Sequence, residues 1–147
     1  MNAVGTAAYA QFEGIYSDWE RFSAGAADLA SLADTGTLLV ARSETGRVLG
    51  AVGYFGPSSV KPDIFEPDDA VIRMLAVDPQ SRGRGVGRRL AECCIDRARV
   101  DGASRIALHT SPAMEVALRM YLGMGFRLIR HLPDRFGVPY AIYELPL

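Results

Sequence analysis

Apolar and polar positions recur with two different periods along this chain, and each change of period marks a new element. Phe12, Ile15, Tyr16 and Trp19 stand at helical spacing, and Gly25 to Leu32 is rich in Ala and Leu, so the first third is predicted helical up to Gly36. Thr37–Arg42 and Val48–Phe55 read as strands joined by the turn Ser43-Glu44-Thr45-Gly46. Pro57 to Pro67 reads as a loop, and with the residues just after it carries Asp63, Glu66, Asp68 and Asp69. Val71–Val77 is almost continuously apolar, the pattern of a strand buried on both faces beside a parallel neighbour. After Asp78-Pro79 a helix is predicted to run to about Val100, with Val86, Leu90, Cys94 and Ala98 on one stripe. Arg105–Thr110 follows as a strand, which makes a β-α-β unit expected to be right-handed and parallel.

Ser111-Pro112 reads as an N-cap and first-turn proline of a helix ending near Gly123 or Gly125. Phe126–His131 and Tyr140–Leu145 close the chain as a strand pair separated by a Pro133–Pro139 loop. The order of elements predicts an α/β (α+β) fold, a mixed sheet with helices on both faces.

Length and charge narrow the class. At 147 residues the chain is expected to form one domain, residues 1–147, with a core large enough to need no staples. Its net charge of −1 gives no global attraction to nucleic acid or to anionic membranes, so neither is expected as a partner. No apolar run approaches the ~20 residues of a membrane span. The N-terminus lacks the charged start and apolar centre of a signal peptide, so a cytoplasmic location is expected. Cys93 and Cys94 are adjacent, which fits neither a disulfide nor a zinc or redox motif. With only His109 and His131 besides, no metal site is expected.

The candidate chemistry lies at Arg82-Gly83-Arg84-Gly85-Val86-Gly87, between the apolar strand and its helix. Glycines alternating over five positions leave backbone N–H groups uncovered, and the first N–H groups of a helix have no internal partner and carry its positive pole. That combination is an anion cradle. A P-loop would need Lys and then Ser or Thr after the last glycine, where Arg88 and Arg89 stand; a dinucleotide fingerprint would need G-x-G-x-x-G. Neither fits. Four arginines at 82, 84, 88 and 89 also invite a nucleic-acid reading, but no stacking platform or nucleic-acid motif accompanies them.

The spacing R-x-x-G-x-G at Arg82, Gly85 and Gly87, preceded by Ile72-Arg73-Met74-Leu75-Ala76-Val77-Asp78-Pro79, resembles the acyl-CoA loop of the GNAT N-acetyltransferase superfamily. Ala117 to Phe126 is similar to that family's A-x-x-L-Y-x-x-x-G-F segment, with Met120 in the usual Leu place. The resemblance implies a mostly antiparallel sheet with one parallel, splayed β-α-β pair. It implies acetyl-CoA as cosubstrate, its pyrophosphate on the backbone of Arg82, Gly83, Arg84, Gly85, Val86 and Gly87 and its pantetheine arm along Leu75, Ala76 and Val77. A strand N–H, at Leu75, would polarise the thioester oxygen. Tyr121 falls on the family's tyrosine, the general acid for the departing thiolate.

Two positions depart from the pattern. Met114 stands where many relatives carry a cofactor-binding Asn, and Val71 where many carry a Glu that serves as base. The nearest acid of the same strand parity, Asp69, is the candidate base. The resemblance thus implies acetyl transfer to a primary amine, with a non-catalytic acyl-CoA-binding module as the alternative. The acceptor, a small molecule or peptide amine, would be chosen by the N-terminal helices and the loops at 57–69 and 133–139. The acids of the first of these loops would favour cationic amines. No strand is evident before the first helical stretch, which leaves one sheet edge undetermined and either a monomer or a homodimer as the expected state.

Overall fold

The computed structural model describes residues 1–147. Four α-helices and six strands follow the order α1 (Asn2–Tyr9), α2 (Trp19–Ala26), β1 (Thr37–Arg42), β2 (Val48–Phe55), β3 (Ala70–Val77), α3 (Val86–Val100), β4 (Arg105–Thr110), α4 (Glu115–Gly123), β5 (Arg127–Arg135) and β6 (Val138–Pro146). The N-terminal third is helical in a different register from the one its pattern predicts. Phe12, Ile15, Tyr16 and Trp19 do not share one helix, because the chain turns at Gly14, whose φ is +89°. Asp18 then caps α2 by accepting the Arg21 N–H at 3.1 Å. Phe12, Tyr16 and Trp19 nevertheless pack into one cluster with Tyr9 and Phe22, so their apolar character reflects a shared destination rather than a shared helix.

Two other boundaries move. Ser111 accepts the Ala113 N–H at 3.1 Å and closes a turn, and α4 begins only at Glu115. The expected Pro133–Pro139 loop is a tight hairpin instead. Phe136 and Gly137 both take positive φ, 49° and 74°, so β5 and β6 pair almost to the tip.

The strands form a single six-stranded sheet in the order β1-β2-β3-β4-β6-β5. Every neighbouring pair is antiparallel except β3–β4. That parallel pair is joined only at Ala70↔Ile106 and Val71↔Ala107. Beyond those residues the two strands part, and the sheet opens into a V. Leu90, Ala91, Cys94, Ile95 and Ala98 of α3 cover one face over Val52, Ile72, Ile106 and Leu108. Ala8, Tyr9, Phe22, Ala26 and Leu29 from the N-terminal segment cover Ala51, Ala76 and Tyr140 on the other. β1 and β5 are the two edges.

Candidate active site

The V between β3 and β4 is the floor of a cleft of about 770 Å³. Arg73, Met74, Leu75 and Val77 form one wall, and Leu108, His109 and Thr110 form the other. Midway along β3 the ladder to β2 slips. Gly53 pairs with Arg73 and Ala51 with Ala76, so Val52 alone opposes Met74 and Leu75. Met74 takes a φ of +55°, a conformation that costs a non-glycine residue about 1–3 kcal/mol and persists only where surrounding structure enforces it. A bulge of this kind removes backbone polar groups from the ladder and re-aims them. Here it does so at the strand segment expected to meet the thioester. The Tyr9 hydroxyl donates to the Leu75 carbonyl at 2.9 Å and fixes the bulge from the side of α1.

At the wide end of the V lies the glycine loop. Gly83 and Gly85 take φ of +72° and +78°, and a Cβ on either would meet no atom within 4 Å. Both positions are open space. Gly85 is the N-cap of α3 and brings no side chain over the helix start. Gly87 faces inward, where a Cβ would stand 3.3 Å from Val77 and 3.8 Å from the Met120 sulfur. The loop therefore fits a pyrophosphate held by backbone N–H groups. Arg82 does not turn toward the loop's concavity. Its guanidinium donates to the Ala8 carbonyl at 2.9 Å and ties the loop to the end of α1.

Tyr121, on α4, is buried to 5% exposure and lines the same cleft. Burial pushes its phenol pKa far above the ordinary value, with smaller effects from Tyr9 and Cys94, so the group is a permanent proton donor at neutral pH. Its ring rests edge-on against Phe126, 5.5 Å between centroids.

Across the V stands His109, which the sequence reading considered only as a metal ligand. It lies between Phe65, stacked at 5.7 Å, and Tyr140, edge-on at 5.5 Å. Its Nδ1 is enclosed without a hydrogen-bond partner. Burial lowers its pKa to about 4, with added repulsion from Arg135 and Arg73, so the imidazole is neutral at physiological pH. A lone histidine in an alternating strand carries no functional signal in sequence. Only the parting of β3 from β4 reveals it.

Not every residue expected in the site is brought there. Ala76 is buried beneath the N-terminal helices and pairs with Ala51, and Arg84 lies outside the cleft lining. Asp69, at 1% exposure, does not line the cleft. Its Oδ1 accepts the Arg105 Nε–H at 2.8 Å, and its backbone carbonyl accepts from Lys61, which also donates to Pro57 and Pro67. The geometry gives this carboxylate a neighbour in the fold rather than access to a substrate amine. Asp63, Glu66 and Asp68 are equally absent from the lining. No group of three or more His, Cys, Asp or Glu side chains is placed to hold a metal ion, and no helix is long and apolar enough to cross a membrane.

Comparison with known proteins agrees with this geometry. Mycothiol acetyltransferase of Propionibacterium freudenreichii subsp. shermanii is 35% identical over 96 residues, covering 65% of this chain and 29% of the relative. L-2,4-diaminobutyric acid acetyltransferase of Nocardia farcinica is 31% identical over 93 residues, 63% of this chain and 44% of the relative. The chain thus matches less than half the length of either relative. Among solved structures, a GCN5-related N-acetyltransferase from Kribbella flavida superposes with a TM-score of 0.65 at 26% identity, over 82% of this chain and 77% of that one. A GNAT family acetyltransferase from Elizabethkingia anophelis, solved with acetyl-CoA bound, has the same fold at a TM-score of 0.62 and 18% identity, over 81% of each chain. The sequence profile of the acetyltransferase (GNAT) family matches residues 4–126, most of the chain, including β3, the glycine loop and α4, and the protein belongs to that family.

Proposed function

We propose that this protein transfers the acetyl group of acetyl-CoA directly to a primary amine. The observation that carries the reading is a single cleft in which a glycine-loop anion cradle, a strained strand bulge and a buried protonated tyrosine meet in that order. Acetyl-CoA supplies an activated acyl group. The open glycines at 83 and 85 and the start of α3 would hold its pyrophosphate, and the re-aimed backbone at Met74 and Leu75 would hydrogen-bond the thioester oxygen as charge develops on it. The amine nitrogen attacks the carbonyl carbon, the C–N bond forms and the C–S bond breaks. Tyr121 gives its proton to the departing thiolate, whose own basicity is raised by the same desolvation.

The proton released by the amine goes to His109. Once the C–N bond forms, the nitrogen is cationic and far more acidic than a free ammonium, so a weak neutral base suffices. With Val71 in the usual position of the carboxylate and Asp69 engaged by Arg105, the imidazole is the neutral base lining the cleft. The names of the relatives fit such a reaction, since one is named an acetyltransferase of mycothiol and the other of L-2,4-diaminobutyric acid.

CoA release from acetyl-CoA, followed across a panel of amines, tests the proposal. Tyr121→Phe should lower kcat by about 10²-fold while acetyl-CoA still raises the melting temperature by the wild-type amount. His109→Gln should lower kcat by a similar factor. Undiminished turnover by Tyr121→Phe would remove the acid role. Binding of acetyl-CoA without transfer to any amine would favour the non-catalytic module.

A further inference from the structure

The charged residues that line the cleft are strongly unequal. They are Arg21, Arg73, Arg82, Arg88, Arg135 and a single carboxylate, Glu115, which is held by Arg119 at 2.6 Å. Two of the arginines are accounted for at the glycine-loop end. Arg82 binds the end of α1, and Arg88 pairs with Glu92 at 3.1 Å. The remaining three, Arg21, Arg73 and Arg135, enter none of the structure's eight ion pairs and donate no side-chain hydrogen bond.

These three come from three separate elements and converge on one end of the cleft. Arg73 is half-buried at the closed end of the V, immediately before the bulge, and its guanidinium lies over the Phe55 ring at 5.5 Å. Arg21 from α2 and Arg135 from the β5–β6 hairpin both lie over Phe136, at 5.7 and 5.6 Å. The aromatic faces hold the planar groups in place and leave their N–H edges without an acceptor from the protein. Burial, and then the nearby Arg135, disfavour the positive charge of Arg73, and both arginines disfavour one at His109. Three cations kept close with no internal anion are stable together only at a cost that a bound anion would relieve.

Position assigns that anion to the acceptor. Four strand steps lead from Arg73 to Val77, about 13 Å, and the glycine loop lies beyond Val77. The bulge lies between the two ends, and His109 stands across the V at the level of Arg73, three residues beyond the Ala70↔Ile106 pair. An anion on the three arginines therefore sits on the opposite side of the reacting centre from the pyrophosphate. We propose that the acceptor is a small amine bearing a carboxylate, which Arg73, Arg135 and Arg21 bind so that its amine points toward the bulge and His109. This inference rests on the acetyl-transfer reading for the role of the amine, whereas the carboxylate site stands on the arginines alone. It replaces the expectation of cationic amines, because the acidic loop that suggested them does not reach the cleft. Carboxylate binding between Arg73 and Arg135 would also offset the repulsion acting on His109, so the acceptor itself would make the base more basic.

The test uses the full chain with saturating CoA. A panel of N-acetyl amino acids, acetylated at either the α-amine or a side-chain amine, is titrated beside the matching carboxamides. At least one carboxylate should bind about tenfold or more tightly than its amide. Arg73→Gln and Arg135→Gln should each abolish that preference while the thermal shift with acetyl-CoA stays at its wild-type value. Arg73→Lys should restore only part of it, since an ammonium keeps the charge and loses the planar fork. Equal affinity for acid and amide across the panel, or a preference that survives both substitutions, would overturn the proposal. Arginine-dependent carboxylate binding without acyl transfer would sink the transferase reading and leave the anion site standing. Transfer to acids and amides at equal kcat/KM would do the reverse.

Discussion

His109 is held neutral by its surroundings, and that has a consequence for stability which can be measured apart from catalysis. Burial first, then Arg135 and Arg73, push its pKa from 6.5 to about 4. Above pH 6.5 neither the folded nor the unfolded chain protonates the ring. Between about pH 6.5 and pH 4 the unfolded chain takes up a proton that the folded chain refuses, so stability falls as pH falls through that window. The full gap corresponds to about 3 kcal/mol. Denaturant unfolding of wild type and His109→Gln should therefore give a stability difference that moves against the wild type by about this amount from pH 7 to pH 4. A difference independent of pH would mean that the imidazole protonates as it does in water. Because the shift keeps the ring unprotonated at every pH above about 5, His109 should impose no acid limb on kcat/KM near neutrality.

At the scale of elements, the roof of the cleft depends on how closely α1 and α2 approach. A Cβ on Gly5 would stand 2.1 Å from the Ala26 carbonyl oxygen and 2.9 Å from Leu29, so Gly5→Ala must push the two helices apart. A loss of about 1–3 kcal/mol is expected. Gly25, on the same helix as Ala26, has no atom within 4 Å of its Cβ position, and Gly25→Ala should instead stabilise by about 0.5–1 kcal/mol through helix propensity. Thermal melts of the two variants should thus shift in opposite directions; shifts of the same sign would refute the packing of α1 on α2. The same helices show where the sequence was readable. Strands β1 to β4 were legible as short apolar runs bounded by turn residues, and α3 as a single apolar stripe at helical spacing. Phe12, Ile15, Tyr16 and Trp19 were not, because the chain turns at Gly14, so that Phe12, Tyr16 and Trp19 reach one core from either side of the turn while Ile15 is left exposed. The hairpin tip was missed for a related reason. Its signal is positive φ at Phe136 and Gly137, and an aromatic residue is a poor advertisement for that conformation. The glycine loop was legible because its geometry depends on residues that lack a side chain. The bulge was not, because Met74 occupies its strained conformation under the restraint of neighbours such as Tyr9.

For the molecule as a whole, net charge is the least informative of its electrostatic properties. The sum is −1, yet the cleft is lined by five arginines and one glutamate. The compensating acids lie elsewhere, at the 57–69 loop and at α3, where Glu92 and Asp96, and Asp101 just past its end, pair with arginines of that helix. Addition over the chain therefore hides a field confined to one concavity, and a concavity with low-dielectric walls strengthens that field. A donor that carries phosphates should be steered into it. Steering of this kind acts over distances comparable with the Debye length, which shortens from about 10 Å at 0.1 M salt to about 3 Å at 1 M. Raising NaCl from 0.05 M to 0.5 M should lower kcat/KM for acetyl-CoA several-fold, with the loss in KM and with kcat little changed. Arg88→Gln should flatten this dependence in part, and Arg84→Gln, outside the lining, should flatten it less. Were kcat/KM unchanged across that range, the excess of arginine in the cleft would have no part in capturing the donor, and its pairing with substrate charge would be confined to the closed end at Arg73.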